Sequence, residues 1–253
     1  MKERLGPTDE RLPISAQEVW DKKPDLLSKF LASKEARPDF MTDRLVQTMA
    51  VSMAFAGSET TAITLSAVFY YLLRTPSAME RLRQELDAAD ARGDFKDTTT
   101  GLVDWHEAQT LTYLDACIKE AFRMHPAAGL PMERIVPEGG ADIAGRHIKG
   151  GTIVGCSAWV IHRREDIFGG PDDESVDVYS PERWLVDDAL EGEKRTCRLN
   201  KVKRMNANMV QFGMGSRTCI GKNISLLEVY KLVPSFLRRF DVSLDPSPHL
   251  PQG

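Results

Sequence analysis

The chain lacks the marks of several common functional classes. Its four cysteines, Cys117, Cys156, Cys197 and Cys219, are widely separated and form no C-x-x-C pair. That spacing excludes a zinc ribbon or a small disulfide framework and makes a reducing compartment the default. There is no basic excess, since 33 Lys and Arg face 37 Asp and Glu for a formal charge of −4, so general nucleic-acid binding is not expected. No apolar segment follows the polar start MKERLGPTDERLP, and a secretory signal is not expected either. No flavin or nicotinamide fingerprint and no internal repeat is present. What remains is the composition of an ordinary globular protein, long enough at 253 residues for one large core or two modest ones.

One stretch, Leu45 to Leu73, is apolar enough to raise a membrane question, but Gln47, Ser52, Ser58, Glu59, Thr60 and Thr61 lie near its middle. A charge at mid-span is costly in lipid, so a helix buried in protein is the expectation. Thr42 and Asp43 supply an N-cap and a first-turn acid for a helix over 43–74. Thr75-Pro76 ends it and opens a second, to about residue 91. ARGDFKDTTTG reads as a loop, and a further helix over 112–124 stops at His125-Pro126.

Upstream, residues 14–36 read as one or two polar helices with Trp20, Leu26, Leu27, Phe30 and Leu31 on the apolar face. Between Ile135 and Val160, β-branched runs and glycines predict short strands in hairpins. Prolines, acids and the basic run KRTCRLNKVKR make residues 169–210 read as a long irregular stretch. A last helix is expected over about 220–240. The fold class is therefore mainly α with a small β region.

The most specific segment is FGMGSRTCIG, residues 212–221. Its glycines allow tight turns and the close approach of a flat cofactor. Cys219 then falls at the start of the last helix, where unpaired N–H groups and the helix dipole favour a thiolate. Arg217 offers a planar cationic fork for a carboxylate. A structural cysteine beside a glycine turn is the bland alternative. A second unusual segment, AGSETT at 56–61, puts Gly57 and Glu59 inside an apolar helix, where each is costly. Ala56 and Gly57 leave space for a diatomic ligand, the Thr60 hydroxyl can bond back to the Ala56 carbonyl, and Glu59 could pass protons. A polar kink that merely packs is the alternative here. Glu120 and Arg123 share one helix face, and YSPERW supplies Arg183.

The unbroken F-x-x-G-x-R-x-C-x-G pattern resembles the haem-thiolate signature of the cytochrome P-450 family, in which cysteine holds haem iron. AGSETT resembles that family's oxygen-binding motif, with Glu59 and Thr60 at its acid–alcohol positions and glutamate replacing the commoner aspartate. E-x-x-R followed by P-E-R-W is similar to the family's structural pair. This implies a buried trio of Glu120, Arg123 and Arg183 that locks the loop beneath the haem, and Glu120→Ala is expected to abolish haem incorporation. PMERIV and AWVIHRREDIFGG also fit in order, and by that fit Arg134 meets a haem propionate, while His162 is read as a packed or capping histidine. Ser225 replaces a usual alanine, a change expected to matter little.

The resemblance implies a partial cytochrome P-450 fold over residues 1–253, with the N-terminal half and a C-terminal hairpin of the family absent. The implied activity of the intact parent is insertion of one oxygen atom from O₂ into a small organic substrate. Haem would sit on Cys219, with Phe212, Gly213, Gly221, Arg217, Ala56, Gly57 and Arg134 around it and Thr60 and Glu59 catalytic. Electrons would come from an external donor, an NADPH-dependent reductase. Lys201, Lys203 and Arg204 are either its docking charges or a solvated loop. The parent would sit on the cytosolic face of the endoplasmic reticulum. One rival of the same fold is a haem-thiolate isomerase or dehydratase acting on peroxides. The other is a non-catalytic remnant, because the short chain leaves one wall of the haem slot missing and predicts weak haem retention with little activity.

Overall fold

A computed structural model describes residues 25–170 and 175–244. Contacts divide the chain into residues 1–59 and 60–253. In the first unit, helix α1 (Leu26–Ala36) is capped by Asp25, whose carboxylate accepts from the Ser28 amide at 2.9 Å. The sequence predicts this helix over 14–36; its earlier part, with Trp20, lies outside the described residues. Helix α2 (Asp43–Arg74) opens as expected, with the Thr42 hydroxyl accepting from the Leu45 amide and Lys34 of α1 paired with Asp43.

The second unit takes α2 from Thr60 onward. Pro76 stands at the first position of α3 (Pro76–Ala91), where its fixed φ suits a helix and its missing N–H costs nothing. After the short α4 (Trp105–Ala108) comes α5 (Thr112–Met124), ten of whose thirteen residues are buried. These helices pack with the last one, α9 (Lys222–Arg239). Val68 and Leu72 of α2, Leu82 and Leu86 of α3, Leu114 and Ile118 of α5, and Val229 and Val233 of α9 form the main apolar core.

The expected β region is two antiparallel hairpin-like pairs. Strand β1 (Pro131–Ile135) pairs with β4 (Ile153–Ser157) in the register Arg134↔Val154, and β2 (Ala141–Ile143) pairs with β3 (Arg146–Ile148). Short helices α6 (Ala158–Ile161) and α7 (Glu165–Phe168) follow.

Two expectations fail. The stretch read as irregular contains a 3₁₀ turn (Pro181–Trp184) and α8, a sixteen-residue helix over Gly192–Ala207. Its lysines and arginines are good helix formers, but only Met205 is buried, so no apolar stripe announces it. The other failure concerns α2, read as buried: residues 51–60 are exposed at every position.

Candidate functional site

The most densely hydrogen-bonded part is a buried ion cluster. Glu120, near the end of α5, accepts bidentately from Arg123 one turn on, at 2.7 and 2.8 Å. The Nε of Arg183 and the amide of Ser180 each reach Glu120 Oε1 at 3.1 Å, and the Trp184 indole N–H reaches Oε2 at 2.8 Å. Arg123 spends its remaining donors on the carbonyls of His162, Val176 and Val178, and Arg183 donates to those of Phe168 and Ser175. The ionic side chains are wholly withdrawn from solvent. Burial pushes the Arg183 guanidinium down and the Glu120 carboxylate opposes it. A buried carboxylate between two arginines is tolerable only when every donor is matched, and here the carbonyls of His162, Phe168 and the turn over residues 175–178 supply the remaining acceptors.

The Cys219 loop lies at the other extreme. Phe212 packs edge-on against Phe122 of α5, with ring centroids 5.3 Å apart. Gly213 then turns with φ +72°, a left-handed conformation that calls for glycine, while a Cβ there would meet the Arg217 carbonyl only at ordinary contact distance, 3.4 Å. The Cys219 amide donates back to the Phe212 carbonyl at 2.7 Å, closing the loop. Residues 214–220 are exposed, Cys219 is a free thiol, and α9 begins three residues later with Gly221 as its N-cap. Cys219 therefore sits just outside the first turn of α9 rather than in it. Arg217 has no carboxylate partner among the described residues. Arg134 lies exposed on β1 and donates to the Glu133 carbonyl at 2.6 Å.

In α2, Ala56, Gly57 and Glu59 belong to the first unit and are exposed; nothing lies within 4 Å of a Cβ built on Gly57. Ser58 bonds back to the Ala54 carbonyl at 2.7 Å. In the second unit Thr64 bonds back to the Thr60 carbonyl at 2.8 Å, and the Thr61 hydroxyl donates to Ser225 of α9 at 3.1 Å. Ser225, expected to be inconsequential, thus has a defined partner on α2. The pairing of Thr61 with Ser225 has no signal in the sequence because the two are 164 residues apart.

His162 is another residue whose part the sequence understates. Its ring is fully buried, and Nε2 accepts the Val210 amide at 2.9 Å, so the proton sits on Nδ1. Burial, reinforced by the Arg123 and Arg163 charges, lowers its pKa to about 4. It is a packed histidine, as expected.

The sequence profile described as Cytochrome P450 matches residues 8–252. The chain belongs to the cytochrome P450 family. It is 46% identical over 220 residues to "Cytochrome P450 monooxygenase cicH" of Emericella nidulans, a match covering 87% of this chain and 40% of that protein. A "Cytochrome P450 monooxygenase" of Aspergillus terreus is 43% identical over 87% of this chain and 41% of its own length. For "Cytochrome P450 monooxygenase ACRTS1" of Alternaria alternata the identity is 39%, over 88% of this chain and 54% of that protein. The chain thus spans about two-fifths to one half of these three relatives.

The family is one of oxidoreductases; it implies a haem-thiolate cofactor, and its members work with redox partners on small molecules. The residues present fit that cofactor. Cys219 is free and exposed on a glycine-turned loop, and an uncommitted guanidinium stands two residues away. Among the described residues no group of three His, Cys, Asp or Glu could hold a bare metal ion. A single axial thiolate on a prosthetic group does not need one. No described helix is long and apolar enough to cross a membrane.

Proposed function

We propose that this chain carries the haem-binding part of a monooxygenase that inserts one oxygen atom from O₂ into a small organic substrate, and that Cys219 would hold the iron. The observation that carries the reading is the uninterrupted F-x-x-G-x-R-x-C-x-G loop, which folds with Cys219 exposed and its amide tied back to Phe212. Haem held by a cysteine thiolate supplies oxygen activation and favours O–O cleavage.

The protein's own residues bind, orient and move protons. Cys219 donates its thiolate, while Gly213 and Gly221 keep the backbone low and Phe212 backs the loop. Arg217 and Arg134 pair with the cofactor's carboxylates, and Ala56 and Gly57 leave room beside α2. Glu59 and Thr60 hold and pass protons, the acid from solvent and the hydroxyl toward the reacting side. Glu120, Arg123 and Arg183 are structural members of the set and touch no substrate. The domain is a partial P450 domain whose electrons come from an external NADPH-dependent reductase. A protein of this kind works at the cytosolic face of the endoplasmic reticulum.

The intact Glu59–Thr60 pair favours this reading over a peroxide isomerase or dehydratase, which needs no proton relay. The test is a reduced carbon-monoxide difference spectrum of the haemin-reconstituted chain. A thiolate signature that disappears in Cys219→Ala supports the reading; one that survives the substitution removes Cys219 as the ligand.

A further inference from the structure

His162 ties the buried ion cluster to the thiolate loop. Its carbonyl accepts from Arg123 at 3.0 Å and its amide donates to the Ala158 carbonyl at 2.9 Å, so its backbone is fixed from two sides. The ring is fully buried, edge-on to Phe168 at 6.0 Å, and faces the segment that leads into the loop. There Nε2 accepts the buried amide of Val210. The Val210 carbonyl accepts from Gly213 at 2.8 Å, setting the turn, and the Phe212 carbonyl accepts the Cys219 amide. A continuous run of hydrogen bonds and short backbone steps thus leads from Glu120 through Arg123, His162 and Val210 to Cys219.

The opposite ring nitrogen supports the same assignment. Among the described residues Nδ1 is buried without a hydrogen-bond partner of good geometry, although the backbone of Phe122 and Arg123 favours a proton on the ring, and an apolar ring of similar size would avoid that cost. Such a ring, however, would leave the Val210 amide buried without an acceptor. Only one nitrogen of His162 is used, and it is the one aimed at the loop.

We propose that His162 is a positioning residue for the thiolate loop: its neutral ring fixes Val210 and, through the loop's own hydrogen bonds, the backbone of Cys219. The functional meaning rests on Cys219 being the ligand, but the mechanical claim does not.

The test compares His162→Gln with His162→Asn in the chain without haem. A glutamine oxygen can reach the position of Nε2, whereas an asparagine oxygen falls near Nδ1. Hydrogen exchange resolved at single amides is the readout. His162→Asn is expected to speed exchange at both Val210 and Cys219 by about tenfold, the loss of one buried hydrogen bond. His162→Gln is expected to stay within about threefold of wild type, and core amides of α3 are expected to be unaffected by either change. Acceleration at Val210 with none at Cys219 overturns the proposal, as does equal acceleration throughout the chain or an identical response to Gln and Asn. Haemin titration then separates the two readings. If Cys219→Ala binds haemin as wild type does, the ligand assignment fails while the exchange result stands. If Cys219→Ala loses binding and His162→Asn does not, the positioning role fails alone.

Discussion

The ion cluster and the Cys219 loop obey opposite rules. Glu120, Arg123 and Arg183 have no solvent exposure to speak of, and Glu120 serves four donor groups. In the loop, residues 214–220 are exposed, Ile220 to 89% and Met214 to 61%. The first region uses ionisable groups where water is excluded, so each charge must be matched. The second places a reactive sulfur and a guanidinium where a ligand can reach them. Stability therefore belongs to the charges that do no chemistry, and the chemistry proposed for this chain to residues that hold nothing up.

That contrast makes Glu120→Ala the most damaging single change. It leaves two buried guanidiniums, an indole N–H and a backbone amide without their acceptor. Breaking a buried ion cluster by removing one partner costs about 3–5 kcal/mol, a large share of the stability of an ordinary domain. Urea unfolding followed by tryptophan fluorescence reads this directly, with Trp184 a reporter in contact with the mutated site. Arg217→Ala, an equally charged position in the loop, is expected to stay within about 0.5 kcal/mol of wild type. Equal losses at the two positions would break the comparison.

The next effect is in pH. His162 is buried neutral with a pKa of about 4, held down by burial and by the facing Arg123 and Arg163. In the unfolded chain it titrates near 6.5. The unfolded state thus binds the extra proton first as pH falls, so the neutral ring's contribution is complete above about 6.5 and drains away toward 4. The full effect is on the order of 3 kcal/mol, from the gap between the two values. Unfolding free energies measured from pH 7 to 4 are expected to fall in wild type and to lose most of that slope in His162→Gln. A slope that is unchanged by the substitution would assign it to other groups.

Much of this was legible in the sequence wherever spacing is local. Helices α2, α3 and α5 were readable from Thr42-Asp43, Thr75-Pro76 and His125-Pro126, because caps and prolines act within one turn. The loop and the E-x-x-R pair were readable because their chemistry fixes residue types at short intervals. Helix α8 was not, since with one buried residue it has no apolar period to read. Nor could any periodicity disclose that His162 meets Val210 48 residues on, or that Thr61 meets Ser225. Those pairings exist only once α5, α9 and the β region have packed.

The Thr61–Ser225 bond sits between the two extremes, with Thr61 buried and Ser225 half-buried. Thr61→Val and Ser225→Ala are each expected to cost about 1 kcal/mol, the usual net worth of a neutral hydrogen bond. Because both remove the same bond, the double variant is expected to lose little more than either single one, and Thr61→Ser to lose the least. Fully additive losses in the unfolding cycle would show that the two hydroxyls act separately.

The smallest effect on stability is expected at the residue that matters most to the proposed function. Cys219 is exposed, forms no disulfide, and contributes its backbone rather than its side chain to the loop's closure, since the bond to Phe212 comes from its amide. Cys219→Ala keeps that amide and removes only the sulfur. The unfolding free energy of the chain without haem is therefore expected to move by less than about 0.5 kcal/mol. Added haemin should then raise the stability of wild type and leave the variant where it was, since a ligand stabilises a protein only through the state that binds it. A large intrinsic loss in Cys219→Ala would mean that the sulfur is a packing group, and the division between a region that holds the fold and a region that holds the cofactor would not survive it.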